Sequence, residues 1–125
     1  MIFRFDPDAT VIRVDGNIPS PMGLRRTILA LDTAATQTCI AESLLASIGL
    51  NTSVAPKVRV ATANGEIEVP EVMLPVLSAL GHEKNDFKVL AVNMPSSTFS
   101  GVLGLDFFRD KVLRIDFRNG TIDLQ

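Results

Sequence analysis

The 125-residue sequence has one cysteine, one histidine, no tryptophan and no tyrosine. With Cys39 alone, no disulfide can form within the chain, and a lone thiol fits a reducing compartment. The missing Tyr and Trp count against a nucleic-acid barrel that stacks bases on aromatic rings. His82 has no metal-ligand spacing around it, so it reads as a solvated loop residue, and neither metal nor cofactor is expected. Long apolar runs are missing too. No stretch approaches the ~20 residues that span a bilayer, and Met1–Pro7 lacks the apolar core of a signal peptide. No membrane insertion is expected, and the expected location is cytoplasmic. Nor does one sign of charge dominate: 12 Lys and Arg stand against 14 Asp and Glu, a net charge of −2. The basic residues are scattered, with Arg25-Arg26 the nearest approach to a run. Phosphate binding needs a concentrated positive surface, so no nucleic-acid partner is expected.

What is present is the balance of a folded domain: 46% hydrophobic and 21% charged residues. The length suits one domain, 1–125, able to bury about two-thirds of its unfolded surface without staples. The pattern is one of short β segments punctuated by turn residues. Thr10–Val14 is rich in β-branched residues, and Asp15-Gly16-Asn17 reads as the turn that ends it. Pro19, Pro21 and Gly23 suggest a loop. Thr27–Leu31 is a continuous apolar run, expected to be buried on both faces. Residues Cys39–Ile48 carry Ile40, Leu44, Leu45 and Ile48 at helical spacing, with Gly49 as a stop. Val58–Thr62 and Glu66–Val69 flank Ala63-Asn64-Gly65, a β-hairpin signature. Pro70 weakens the strand after it and suggests an edge or a bend. Val72–Leu77 and Phe87–Val92 read as strands, and Ala79–Asn85 as a polar turn region. A short helix is expected at Asp106–Asp110. A second hairpin follows, turning at Asn119-Gly120. The fold class expected is all-β with two short helices.

Leu29-Ala30-Leu31-Asp32-Thr33-Ala34-Ala35 carries the chemistry: an apolar strand delivers a carboxylate to its end, and small residues follow. They let backbone amides and a partner chain come close. Val102-Leu103-Gly104, then Leu105-Asp106-Phe107-Phe108, is the second informative stretch, and Arg114–Ile122 the third.

In these stretches the chain resembles the retroviral-type, retropepsin-like aspartic proteases, and their bacterial members in the closing hairpin. The family's signatures are an apolar strand with Asp-Thr/Ser-Gly, and two apolar residues with Gly before a C-terminal helix. The resemblance runs from about Val11 to Leu124 and implies a closed β-barrel lobe. It makes the Val58–Val69 hairpin a flap over bound peptide, with Thr62, Ala63, Asn64 and Gly65 at its end. It makes Asp32 the catalytic residue of an endopeptidase. With one Asp-Thr pair per chain, the active site would need a homodimer. Thr33 would bond across to the other subunit, with Ala34 and Ala35 as active-site support. The substrate would be an extended peptide or protein, paired by strand addition. The terminal segments Met1–Phe5 and Thr121–Gln125 would form the dimer interface. Ala34 departs from the pattern, which has Gly. If the site needs positive φ, Ala costs about 1–2 kcal/mol there; if φ is negative, only its methyl crowds the dyad.

Plainer readings stand beside these. Asp32 alone could cap a helix or turn. Thr36 reads as an ordinary turn residue, and Val102 and Leu103 are core on either view. Cys39 reads as a small buried hydrophobe. Glu66 and Glu68 face water on one side of a strand, with Glu71 nearby. A retropepsin-fold module for dimerisation or peptide binding, without catalysis, is the alternative function. An unrelated ligand-binding barrel is a third.

Overall fold

The computed structural model describes residues 1–94 and 98–125. In chain order the strands are β1 (Ile2–Arg4), β2 (Arg13–Ser20), β3 (Gly23–Leu31) and β4 (Cys39–Ala41). Helix α1 (Glu42–Ser47) follows, then β5 (Lys57–Thr62), β6 (Gly65–Ala79), β7 (His82–Val92) and β8 (Gly101–Leu103). Helix α2 (Leu105–Phe108), β9 (Leu113–Asp116) and β10 (Thr121–Leu124) complete the chain.

Six strands close on themselves in the order β2-β3-β8-β4-β7-β6. The ring shuts where β2 meets β6, through Gly16↔Ala79 and Asn17↔Ser78. This is the all-β, closed-barrel architecture the sequence implies, with two short helices. Ile18, Leu29, Ile40, Leu45, Leu74, Leu77, Val89, Leu103 and Phe107 lie at its centre with no exposed surface. Alternation puts them there: in β2, Val14, Gly16 and Ile18 point inward while Asp15 and Pro19 point out. Of the Thr27–Leu31 run, expected to be buried on both faces, Thr27, Leu29 and Ala30 are buried, Leu31 is half-buried and Ile28 is 40% exposed.

β5 stays outside the ring, paired with the first part of β6. β6 runs for 15 residues and changes partner at its proline. Pro70 is the last residue opposite β5, facing Lys57, and Glu71 is the first opposite β7, facing Leu90. The bend expected at Pro70 is thus a change of partner, made where the chain lacks an N–H. Pro75 falls between the pairs Leu74↔Phe87 and Val76↔Asn85, opposite Asp86, whose φ is +48°.

Four expectations are corrected. Asp15-Gly16-Asn17 is not a turn but the middle of β2. Gly16 is small because of packing: a Cβ there would lie 2.9 Å from Leu29 Cδ1 and 3.1 Å from Thr27 Cγ2. The turn lies at Pro21-Met22, where Ser20 faces Gly23, whose φ is +112°. Cys39–Ala41 is strand, not helix. It pairs with β7 and β8, and α1 begins only at Glu42. Ile40 is buried with Leu44 and Leu45, so barrel burial imitated helical spacing. In Ala79–Asn85 only Leu80-Gly81 turns, both with positive φ, and His82 already belongs to β7. His82 is no solvated loop residue: its Nε2 lies 2.7 Å from the Leu124 carbonyl.

A second sheet has the order β1-β10-β9. Asp116 organises its hairpin turn. Its Oδ1 accepts the N–H groups of Arg118 and Asn119 at 3.0 Å, and its Oδ2 accepts Asn119 Nδ2 at 2.8 Å. These bonds, those from Asn119 foremost, lower the Asp116 pKa. A lowered folded-state pKa means the contribution is complete above the ordinary carboxylate range and fades as pH falls through the lowered value.

Thr27 Oγ1 is the one buried polar side-chain atom without a partner among the described residues, on a residue 3% exposed. An unmet hydroxyl costs its desolvation, so Thr27→Val is expected to stabilise the chain by about 1 kcal/mol. Urea denaturation measures it; a fall in the midpoint would contradict it.

Candidate active site

β3 and β8 run parallel in the barrel wall, with Leu29↔Gly101, Ala30↔Val102 and Leu31↔Leu103 in register. They end side by side, so the residues after them, Asp32 and Gly104, are held on neighbouring strand ends. The Asp32 N–H donates to the Leu103 carbonyl at 3.0 Å. The chain then turns: Ala35 N–H donates to the Asp32 carbonyl at 3.2 Å, and Ala34 N–H to Asp32 Oδ1 at 2.9 Å. The Asp32 side chain does hold a local turn, but no helix follows it. Ala34 is not among the residues with positive φ, so its backbone carries no left-handed strain. Thr33 and Ala34 are exposed, and the Thr33 hydroxyl has no partner among the described residues.

The two loops touch through backbone. A Cβ on Gly104 would lie 2.8 Å from the Ala35 carbonyl oxygen, and one on Gly101 would lie 2.5 Å from that of Cys39. Leu105 N–H donates to the Ala35 carbonyl at 2.8 Å.

A polar knot behind them had no local signal in the sequence. Thr38 is fully buried. Its hydroxyl donates to Asp106 Oδ1 at 2.7 Å and accepts the Gly104 N–H at 3.0 Å. Its own N–H reaches both Asp106 oxygens at 3.0 Å. The sequence marked Asp106 as a helix residue and passed over Thr38.

Two clefts flank this turn, each of about 480 Å³. Asp32 lines the first, with Ala30, Leu31 and Val102 on its floor and Phe5, Ile12 and Phe117 around it. Ala34, Ala35, Gln37 and Cys39 line the second, facing Val60, Ala61, Thr62, Ile67 and Val69 of the β5–β6 hairpin. Arg59 is the one charged residue in that lining. The structure therefore brings Ala34, Ala35 and Thr62 together. Ala63, Asn64 and Gly65 form the hairpin tip, outside the lining. In that tip Gly65 alone takes positive φ, +111°, while Thr62 Oγ1 donates to the Gly65 carbonyl at 2.7 Å.

Cys39 lies half-buried beside this cleft. Burial first, then the negative charges of Asp106 and Asp32, push its thiol up to about 11. A thiol so raised is a poor nucleophile near neutral pH. Among the described residues no group of His, Cys, Asp or Glu could hold a metal ion, and no helix is long and apolar enough to cross a membrane.

The sequence profile of a family described as aspartyl protease matches residues 12–107. No curated protein matches the chain. Among solved structures, the crystal structure of a retropepsin-like aspartic protease from Rickettsia conorii aligns with a TM-score of 0.71, at 14% identity. The alignment covers 99% of this chain and 88% of that one. The likeness identifies the barrel as the retropepsin-like fold.

Removing the Thr38 hydroxyl strands the Gly104 N–H and takes one bond from a carboxylate. Thr38→Val is therefore expected to cost about 2–3 kcal/mol in urea denaturation; a neutral result would show that the knot is dispensable. At pH 7.5, iodoacetamide should label native Cys39 about a hundredfold more slowly than the unfolded chain, and faster as pH rises. Equal rates would contradict the raised thiol.

Proposed function

The chain belongs to the aspartyl protease family, and on that premise we propose that it is an aspartic endopeptidase acting as a homodimer. Residues 1–125 form one lobe, and each lobe supplies one Asp32. The observation that carries this reading is the placing of Asp32. It stands at the end of a buried strand, its N–H tied to Leu103 and one carboxylate oxygen held by the Ala34 N–H.

The chemistry needs two such carboxylates because water is a weak nucleophile. Like charges brought close cannot both ionise, so the pair shares one proton. The ionised Asp32 takes a proton from water, which attacks the scissile carbonyl carbon. The protonated Asp32 of the partner subunit donates a hydrogen bond to the carbonyl oxygen. Collapse of the tetrahedral intermediate breaks the C–N bond, with the leaving amine protonated by the dyad. The titration belongs to the pair.

Thr33 supports the pairing: its exposed hydroxyl, without a partner among the described residues, bonds across to the other subunit. The β5–β6 hairpin serves as a flap that closes over an extended peptide and excludes water. Apolar residues on the cleft's two walls suit an apolar side chain of the substrate. The inert, half-buried Cys39 is compatible with a reducing, cytoplasmic location.

Ala34 favours a second reading, a catalytically silent module that dimerises or holds peptide. Its methyl stands exposed two positions from Asp32, where the family pattern has Gly.

Incubating the protein with a diverse peptide pool between about pH 4 and 7, beside Asp32→Asn, separates the two. The enzyme cleaves, loses activity toward neutral pH as the shared proton leaves, and falls to background in the variant. A folded dimer with no cleavage at any pH selects the silent module.

A further inference from the structure

The β2–β3 hairpin leaves the barrel before it turns. Residues 21–26 are all exposed, on both faces of the ribbon, and burial resumes only at Thr27. Met22 is 89% exposed and Leu24 67%. Arg25 and Arg26 follow at once, and they are the only charged residues between Asp15 and Asp32. The ladder sets the two arginines on opposite faces. Arg25 stands opposite Ile18, on the face that meets the core further down, and Arg26 stands opposite Asn17, on the outer face. On that face Arg26 Nη2 lies 3.4 Å from Asp15 Oδ1, with both side chains open to solvent. An ion pair so exposed contributes little. Arg25 has no side-chain partner among the described residues. The ribbon thus ends in an apolar tip with one guanidinium behind it on each face.

The backbone of the tip meets many of its own needs. Pro19 and Pro21 have no N–H to leave unpaired. Ser20 Oγ donates to the Gly23 carbonyl at 2.7 Å and accepts the Met22 N–H at 3.3 Å. Groups satisfied within the turn lower the cost of taking it out of water.

We propose that this hairpin docks the chain, tip first, on a membrane surface that carries anionic headgroups. Met22 and Leu24 enter the boundary between headgroups and acyl chains, and Arg25 and Arg26 pair with lipid phosphates. The dimensions agree. Two residues of strand separate Arg25 from Gly23, about 7 Å, and interfacial segments bury their apolar parts about 5–10 Å deep. The arginine stems lie along the acyl boundary while their heads stay among the phosphates. A protein partner laid on the ribbon would cover one face and leave one arginine unused. A lipid surface met end-on surrounds the tip and engages both. The contact lies on the bilayer and does not span it. With a net charge of −2 on the chain, the attraction is local to this hairpin and weakens with salt. The inference is independent of the pairing of Asp32.

Co-sedimentation of the full chain with lipid vesicles tests it. Vesicles of phosphatidylcholine with about a quarter phosphatidylglycerol should bind the chain at low ionic strength, and pure phosphatidylcholine at least tenfold more weakly. Arg25→Gln with Arg26→Gln should weaken binding to the anionic vesicles about thirtyfold, fivefold for each arginine. Met22→Ser with Leu24→Ser should weaken it about tenfold or more. All four side chains are exposed, so the urea midpoint of each variant should match that of the wild type. Lys57→Gln, on β5, should bind as the wild type does. The chain has no tryptophan, so Met22→Trp reports on the tip alone, and its emission should shift to the blue on anionic vesicles. The proposal is overturned by a chain that does not bind anionic vesicles at low salt, or by a Met22→Trp emission that does not move. Binding that needs the arginines but ignores Met22→Ser with Leu24→Ser also overturns it, and points to an acidic protein as the occupant. None of these readouts depends on cleavage, so the docking and the protease reading fail separately.

Discussion

The Thr38 hydroxyl donates a hydrogen bond to Asp106 and accepts one from the Gly104 N–H, with both partners more than sixty positions away in sequence. A fully buried hydroxyl must find partners, and here each belongs to the segment that follows β8. The bonds to the carboxylate are charge-assisted and stronger than neutral ones. They fix the far end of the loop that starts at Asp32. Its near end is fixed by the Asp32 N–H on Leu103. Between those two anchors the carboxylate has little freedom to drift. Positioning of this kind is what proximity effects in catalysis require.

Close backbone approach is the second condition. Gly101 and Gly104 are the points where β8 and the turn after it press against Cys39 and Ala35. No side chain fits at either position without moving main-chain atoms. The Val-Leu-Gly motif is therefore a packing requirement of the site as much as a family mark. Ala34 differs: it stands at the surface, in a conformation open to any L-residue, so an extra methyl is sterically accommodated there.

Local rules made much of this legible. Gly65 in a hairpin turn, an apolar run ending at a carboxylate, and the Asn119-Gly120 turn each act over a few residues, and each lies where the sequence put it. The misreadings came where distant pairing overrode local preference. Asp15-Gly16-Asn17 has turn composition, yet ladders on both sides hold it extended. His82–Asn85 is polar but is drawn into β7 by β6. β1 is three residues long, and its pairing with β10 joins the two ends of the chain. Thr38 and Asp106 meet only because β3, β4 and β8 are neighbours in the barrel. No window of sequence contains both.

β6 belongs to two structures at once. Its first residues make one arm of the hairpin over the cleft, and its last close the barrel against β2. The arm has no joint of its own at that side; it is the free end of a beam whose root is clamped in the wall. Deflection of the tip must be absorbed near Pro70, where β5 lets go and β7 takes hold. The proline, with its fixed φ and no donor, bends there without breaking a ladder bond. The hairpin thus borrows its stiffness from the barrel wall.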